Sequence, residues 1–346
     1  MQQVLNWAIV GCNVISDSHL AAVAALPNAR VYAVCDIVEE RARKKAQEYG
    51  ADKVYTDYRA LMEDPAVDVV SICTPSGLHG EIAVAAAEHH KHILCEKPLE
   101  ITGEKMTQMI QAAERNQVKL GCVYQRRTYP ENQVVHDFIR THDLGPVIYA
   151  EARIKYFRDQ AYYDSGGWRA TWDMDGGGAL MNQGVHGIDL LLWFMGEPKS
   201  VSAICKTQAH AIPVEDAAAA IVEFKNGAIG VIRGGTCMYP PESTCITLHF
   251  KTGTITVSDG AAPTCRFQDP SIRLPEVKTF REIVDGQAEK HTALSHRAQV
   301  ADLAEAILTD RAPAITPADA RRAVDLILAI YRASEAKKRI ALTDDR

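Results

Sequence analysis

Over the first 125 residues, short apolar runs alternate with amphipathic stretches, and this order restricts the fold more than any other feature. "NWAIVG" gives way to "SHLAAVAAL", "VYAVCD" to "ERARKKAQEYG", "VDVVSICTP" to "GEIAVAAAEHH", and "HILCEKP" to "KMTQMIQAAERNQ"; "VKLGCVYQ" closes the series. Near-continuous apolar runs suit parallel strands buried on both faces, and the stretches between them suit crossover helices. The implied architecture is a doubly wound α/β sheet of the Rossmann type, with its ligand site at the carboxyl ends of the strands.

The pattern changes near residue 126. "GPVIYAEARIKYF" alternates as a strand with one wet face would. Asn226-Gly227 separates two strand-like runs, a hairpin signal, and Thr252-Gly253 repeats it inside "CITLHFKTGTITVSDG". Thr316-Pro317 then opens a long amphipathic helix, with threonine as N-cap and proline at its first position. A chain of 346 residues is too long for one ordinary core. The expected division is residues 1–125 as a dinucleotide-binding Rossmann domain and 126–346 as a substrate-binding α+β domain with a large, open, mainly antiparallel sheet. An uncovered apolar sheet face is a liability, which predicts a homodimer or homotetramer joined through it.

Composition narrows the function classes. The chain is 47% hydrophobic and 24% charged with a formal net charge of -6, which predicts a soluble globular protein and argues against a nucleic-acid partner. No run approaches the ~20 apolar residues of a membrane span, so no membrane partner is expected. "MQQVLNWAIVG" has no basic n-region or cleavage site, and the chain is expected in the cytoplasm. The nine cysteines contain no C-x-x-C; Cys35, Cys73, Cys95 and Cys122 read as small buried hydrophobes of strands in a reducing compartment. "HHKH", residues 89–92, falls where a helix ends and histidines suit the dipole, so no metal is assigned.

Gly11 ends the first strand where a dinucleotide fold turns tightly into a helix whose N-terminus faces a pyrophosphate. The glycine expected at position 13 is Asn13, a residue that tolerates positive φ, and Ser16 replaces the third glycine. Taken alone, this loop could equally be a plain strand–helix turn. Asp36, at the tip of the second strand and 25 positions after Gly11, favours the cofactor reading: an acid there accepts the ribose hydroxyls and repels a 2′-phosphate, favouring NAD over NADP.

Two stretches carry candidate chemistry. Lys97 in "CEKPLEIT" stands at the carboxyl end of the fifth strand. "GGGALMNQGVHGIDLLLWFMG" begins with three glycines that bring the backbone close to something, and then places Asn182, His186 and Asp189 on one side of a helix.

Together these motifs resemble the Gfo/Idh/MocA oxidoreductases, a family named for glucose-fructose oxidoreductase, inositol dehydrogenase and a rhizopine-catabolism protein. The resemblance rests on the Gly11 loop, Asp36, "CTPSGLH", "EKPL", "GGGALMNQGVHGIDLL" and the closing "AIY" helix, and it spans essentially the whole chain. It implies an NAD(P)-dependent dehydrogenase acting on CH–OH groups of sugars, polyols or their derivatives. It further implies that Lys97 contacts substrate and cofactor and that His186 is the acid/base. Where the family commonly has an aspartate, this chain has Asn182, which cannot relay a proton and is assigned to holding a substrate hydroxyl. In this scheme a secondary hydroxyl loses its proton to His186 as hydride leaves for nicotinamide C4, and Lys97 steadies the alkoxide. Beside a positive nicotinamide, Lys97 is itself a candidate base.

The candidate cofactor set comprises Gly11, Asn13, Val14, Ile15, Asp36 and Ile37 at and just beyond the ends of the first two strands. Thr74, Pro75, His79, Glu96 and Lys97 follow, then Gln125, Trp168 and Arg169. Arg127, Tyr156, Arg158 and Trp172 join Lys97, Asn182 and His186 as the candidate sugar pocket. No run of basic residues marks a diphosphate pocket, which favours an unactivated sugar or polyol. Two alternatives stand beside the dehydrogenase: a redox-neutral NAD-dependent glycoside hydrolase, and a non-catalytic NAD- and sugar-sensing regulator.

Overall fold

Six parallel strands build the first sheet: β1 (Leu5–Val10), β2 (Ala29–Cys35), β3 (Lys53–Tyr55), β4 (Val69–Ile72), β5 (His92–Cys95) and β6 (Leu120–Cys122). Their spatial order is β3-β2-β1-β4-β5-β6, so the order reverses beside β1, where a doubly wound sheet opens its ligand crevice. The computed structural model describes residues 3–285 and 291–342. Between the strands run α1 (Ser16–Ala24), α2 (Glu39–Tyr49), α3 (Tyr58–Met62), α4 (His79–Glu88) and α5 (Gly103–Arg115). The apolar runs seen in the sequence are buried almost throughout: Trp7, Ile9, Val34, Val69 and Ile93 are fully enclosed.

The second unit contains α6 (Pro130–Thr141), β7 (Val147–Lys155), α7 (Gln160–Asp164), α8 (Val185–Met195) and β8 (Pro198–Lys206). After them come β9 (Ala217–Phe224), β10 (Ile229–Gly235), β11 (Cys245–Phe250), β12 (Gly253–Ser258), β13 (Ala261–Phe267) and α9 (Phe280–Asp285). The eight-stranded sheet has the order β13-β12-β11-β7-β10-β9-β8-β14, where β14 is Ile340–Ala341. Its pairs are antiparallel except β7 with β10, which run parallel. The Asn226-Gly227 hairpin forms between β9 and β10, with Gly227 at φ 86°. In the second hairpin the turn sits one residue earlier than the sequence suggested, because Gly253 already pairs with Phe250.

The last helices are α10 (His291–Leu308) and α11 (Pro317–Ala336). Thr316 caps α11, its hydroxyl accepting the Asp319 N–H at 3.1 Å. The expected assignment of 126–346 to one domain needs correction: α10 and the start of α11, up to Arg321, belong with the first unit, and the second resumes at Arg322. The cause is packing: Val300, Leu303 and Ala304 of α10 share a core with Trp7, Ile9, Leu20 and Val34. Helical periodicity shows that α10 has an apolar face without telling which sheet receives it.

On the eight-stranded sheet, Ala218, Ala220, Val222 and Phe224 of β9 point inward and are buried, whereas Ile221 is 59% exposed on the opposite face. Ile204 and Ile229, from the flanking strands, are exposed on that same face.

Candidate active site

In the first unit the cofactor loop is fixed by a glycine and an acid. Gly11 adopts φ 94°, and a Cβ there would lie 2.7 Å from the Cys73 carbonyl carbon and oxygen, so only glycine lets β1 pass the end of β4. Asn13 is not among the positive-φ residues, so the tolerance argument for it falls: its backbone is ordinary, and its carbonyl accepts from Ser16 N at 3.0 Å. Asp36 is buried and accepts Cys12 N on one oxygen and Val38 N on the other, each at 2.8 Å. The acid at the tip of β2 therefore holds the Gly11 loop in shape and still has lone pairs for ligand hydroxyls.

Beside this loop, Val14 is 77% and Ile37 91% exposed, two apolar side chains presented at the end of the sheet. Ile15 precedes α1, which starts without a side-chain cap. The Thr74 hydroxyl oxygen is buried without a hydrogen-bond partner among the described residues. Pro75 leads into a short 3₁₀ turn over Ser76–Leu78. An uncapped helix start, apolar walls and a spare hydroxyl fit a dinucleotide.

The His79 and Glu96 side chains are both engaged by other groups of the first unit. His79 is buried, with Nδ1 2.9 Å from the Pro98 carbonyl and Nε2 3.1 Å from the Thr74 carbonyl, so its ring ties two loops together. The Glu96 carboxylate turns inward, where Oε1 lies 3.0 Å from both His19 Nε2 and His296 Nε2, and Oε2 accepts Lys97 N at 3.1 Å. Burial alone would raise the Glu96 carboxyl, but the two histidine donors hold it well below the usual carboxylate range. Lys97 itself is half-buried at the end of β5, and Gln125 begins a 3₁₀ turn just after β6.

In the second unit two of the three glycines, Gly177 and Gly178, lie tight against distant parts of the chain. A Cβ on Gly177 would lie 2.2 Å from the Tyr331 hydroxyl, and one on Gly178 would lie 1.9 Å from the Glu215 carbonyl oxygen. The Glu215 carboxylate is buried and accepts Gly178 N at 2.9 Å, Leu180 N at 2.8 Å and the Tyr331 hydroxyl at 2.9 Å. Burial pushes the Glu215 carboxyl up to about 7 against these donors. Residues Ala179–Gly184 form a π-helical turn before α8, so the simple four-residue spacing between Asn182 and His186 does not describe one α-helical face. Asn182 Nδ2 donates to Asp175 Oδ1 at 2.7 Å, and Asp175 Oδ2 accepts Ala170 N at 2.8 Å. His186 is half-buried in the first turn of α8.

Arg127 is engaged inside the protein. It is buried and makes a bidentate pair with Asp189, Nε–Oδ2 2.8 Å and Nη2–Oδ1 2.5 Å, so Asp189 is also structural. The other candidates are more open. The Tyr156 hydroxyl accepts from Arg126 at 2.8 Å, while Arg158 lies over the Tyr156 and Tyr162 rings at 5.6 and 5.2 Å. Arg169 lies over Tyr162 and Trp168 at 4.9 and 5.2 Å. Trp172 is 48% exposed and meets Tyr331 edge to face. Sequence reasoning missed His19, His296, Asp175, Glu215 and Tyr331; of these only Asp175 carried a local signal, standing directly before the three glycines.

Residues 5–124 match the family model described as the oxidoreductase family with an NAD-binding Rossmann fold, and residues 132–256 match the GFO/IDH/MocA C-terminal domain. The chain belongs to the Gfo/Idh/MocA oxidoreductase family. It is 32% identical to levoglucosan dehydrogenase of Pseudarthrobacter phenanthrenivorans over 67% of this chain, a match that spans 60% of that enzyme's length. It is 27% identical to myo-inositol 2-dehydrogenase of Thermotoga maritima over 66% of this chain and 67% of that one. Among solved structures, WlbA dehydrogenase of Bordetella pertussis in complex with NADH and UDP-GlcNAcA superposes with a TM-score of 0.86 at 28% identity, over 99% of this chain and 100% of that one.

Proposed function

We propose that the protein is an NAD-dependent dehydrogenase that oxidises a secondary hydroxyl of an unactivated sugar or polyol. The observation that carries this reading is the Gly11 loop, locked by the Asp36 carboxylate beside the exposed Val14 and Ile37, in a chain whose relatives are named for levoglucosan and inositol. Bound NAD would supply the hydride acceptor. Gly11, Asp36, Ile37 and Thr74 would hold it. The carboxylate at position 36 leaves no room for a 2′-phosphate charge, so NAD is favoured over NADP.

Lys97 donates a hydrogen bond to the reacting hydroxyl oxygen and stabilises charge as it develops. His186 removes the hydroxyl proton, and Asn182, oriented by Asp175, holds a neighbouring hydroxyl. Trp172, Tyr156 and Arg158 offer an aromatic face and a planar donor to a polyhydroxylated ring. Among the described residues no helix is long and apolar enough to cross a membrane. The nine free thiols suit a reducing cytoplasm. The exposed isoleucines of the eight-stranded sheet suit a second copy of this chain, and size-exclusion chromatography with light scattering at micromolar concentration should return a dimer or tetramer.

The enzymatic reading is tested by absorbance at 340 nm with NAD and a panel of sugars, polyols and glycosides. NADH formation with one ring class supports it. Free sugar released from a glycoside without NADH would replace it with redox-neutral cleavage. Silence throughout, with NAD still bound, would leave a sensor.

A further inference from the structure

The buried cluster around Glu96 is a continuous chain of hydrogen bonds. Trp7 Nε1 can only donate, so at 2.7 Å the Ser71 hydroxyl oxygen accepts from it. The Ser71 hydroxyl also lies 3.1 Å from His19 Nδ1, and because an ionised Glu96 can only accept, the His19 ring proton sits on Nε2 and leaves Nδ1 to accept from Ser71. That proton points at Glu96 Oε1, 3.0 Å away, and His296 Nε2 reaches the same oxygen at the same distance. Glu96 Oε2 accepts the backbone N–H of Lys97. His19, Glu96 and His296 are all buried, and burial keeps His19 neutral while Glu96 stays ionised.

Two histidines and a carboxylate whose ligating atoms lie within 4.8 Å of one another also make a plausible metal triad. Ligation would require a bare Nε2 on both rings. With the Glu96 carboxylate accepting from both Nε2 atoms, neither is bare, and hydrogen bonding describes the cluster.

We infer that His19 and His296 are positioning residues that act through Glu96 to fix the backbone of Lys97 at the carboxyl end of β5. The consequence for catalysis rests on the reading of Lys97 as the residue that holds the reacting hydroxyl. Three donors from three places hold the carboxylate: His19 on α1, His296 on α10, and the N–H of Lys97 itself. His296 is 200 residues from Glu96 in sequence, so α10, packed on α1, completes an array that β5 cannot make alone. Because α1 also follows the Gly11 loop, the array joins the cofactor side of the sheet to the lysine. A misplacement of about 1 Å in a catalytic group can cost about 10²-fold in rate.

The test compares His19→Leu and His296→Leu with His19→Gln and His296→Gln, since glutamine keeps an N–H donor. Hydrogen exchange at the Lys97 amide is the direct readout, and the following proline has no amide to blur it. Both leucine variants should raise that exchange at least tenfold and lower kcat by about 10- to 100-fold, with KM and NAD affinity within about twofold of the wild type. The glutamine variants should recover most of both effects. Where a leucine variant does not fold, Ser71→Ala removes the hydroxyl that partners His19 Nδ1 and should raise Lys97 exchange several-fold. Unchanged exchange at Lys97 in the folded leucine variants would overturn the inference, as would one equivalent of tightly bound metal in the purified wild type. Faster exchange with unchanged kcat would uphold the positioning of Lys97 and refute its catalytic role instead.

Discussion

Replacing Asp189 with leucine leaves the Arg127 guanidinium buried without its carboxylate, and this perturbation separates a structural Arg127 from a sugar-binding one. The pair is bidentate, with side-chain exposures of 6% and 1%, so solvent screens it little. Breaking a buried ion pair on one side costs about 3–5 kcal/mol, because the remaining charge loses its compensation. Replacing both members, Arg127→Met with Asp189→Leu, removes the desolvation penalty along with the attraction and should be within about 1 kcal/mol of the wild type or more stable. Trp193 lies beside Arg127, its ring centroid 5.6 Å from the guanidinium carbon, and offers a fluorescence probe of this region in urea. With a urea slope of about 3 kcal/mol per molar, the single variant should unfold at least ~1 M earlier, and the double variant should recover the midpoint. The reasoning fails if Asp189→Leu shifts the midpoint by less than ~0.3 M. It fails equally if Arg127→Met leaves stability intact and raises the substrate KM tenfold, since Arg127 would then belong to the pocket.

Other expectations follow from the same geometry. The Glu215 carboxyl titrates near 7 in the folded chain and lower when unfolded, so its contribution is full in acid and declines as pH rises from the ordinary glutamate range through 7. Unfolding free energies from urea titrations at several pH values should therefore fall over that window by an amount on the order of 3 kcal/mol in the wild type, and much less in Glu215→Gln; equal slopes would sink this account. Gly178→Ala drives a methyl into the Glu215 carbonyl and should abolish activity and lower the melting temperature, whereas Gly227→Ala, with open space at its Cβ, should cost only its positive-φ strain of about 1 kcal/mol. Asp36→Ala frees both Cys12 N and Val38 N, so NAD affinity by calorimetry should drop at least tenfold and the preference over NADP should narrow; unchanged affinity would remove Asp36 from the cofactor site.

The parallel sheet was legible because burial on both faces writes itself into the sequence as continuous apolar runs, and the crossover helices as 3.6-residue periodicity. Gly11 and Asp36 were legible because a strand end, a tight turn and an acid recur at fixed spacing. The three glycines were seen to approach something, but the partners, Glu215 and Tyr331, come from distant segments that spacing cannot bring together. The π turn at Ala179–Gly184 was invisible for the same reason: the interactions of Glu215 with Gly178 and Leu180 at its start are tertiary. The burial of Arg127 and its pairing with Asp189 were not legible, because sequence shows a charge without its surroundings. His19 and His296 gave no signal, since no motif in the sequence marks either, and they acquire meaning only where α10 returns to α1.

The central claim is that Lys97 and His186 serve hydride transfer from a sugar carbon to NAD. The most direct measurement incubates the enzyme with NAD and a substrate deuterated at the oxidised carbon, and weighs the nicotinamide product by mass spectrometry. The account predicts a coenzyme one mass unit heavier, formed at a rate that Lys97→Ala and His186→Ala each reduce by about 10²- to 10⁴-fold without loss of NAD binding. Unlabelled coenzyme, or turnover that survives both substitutions, would contradict it.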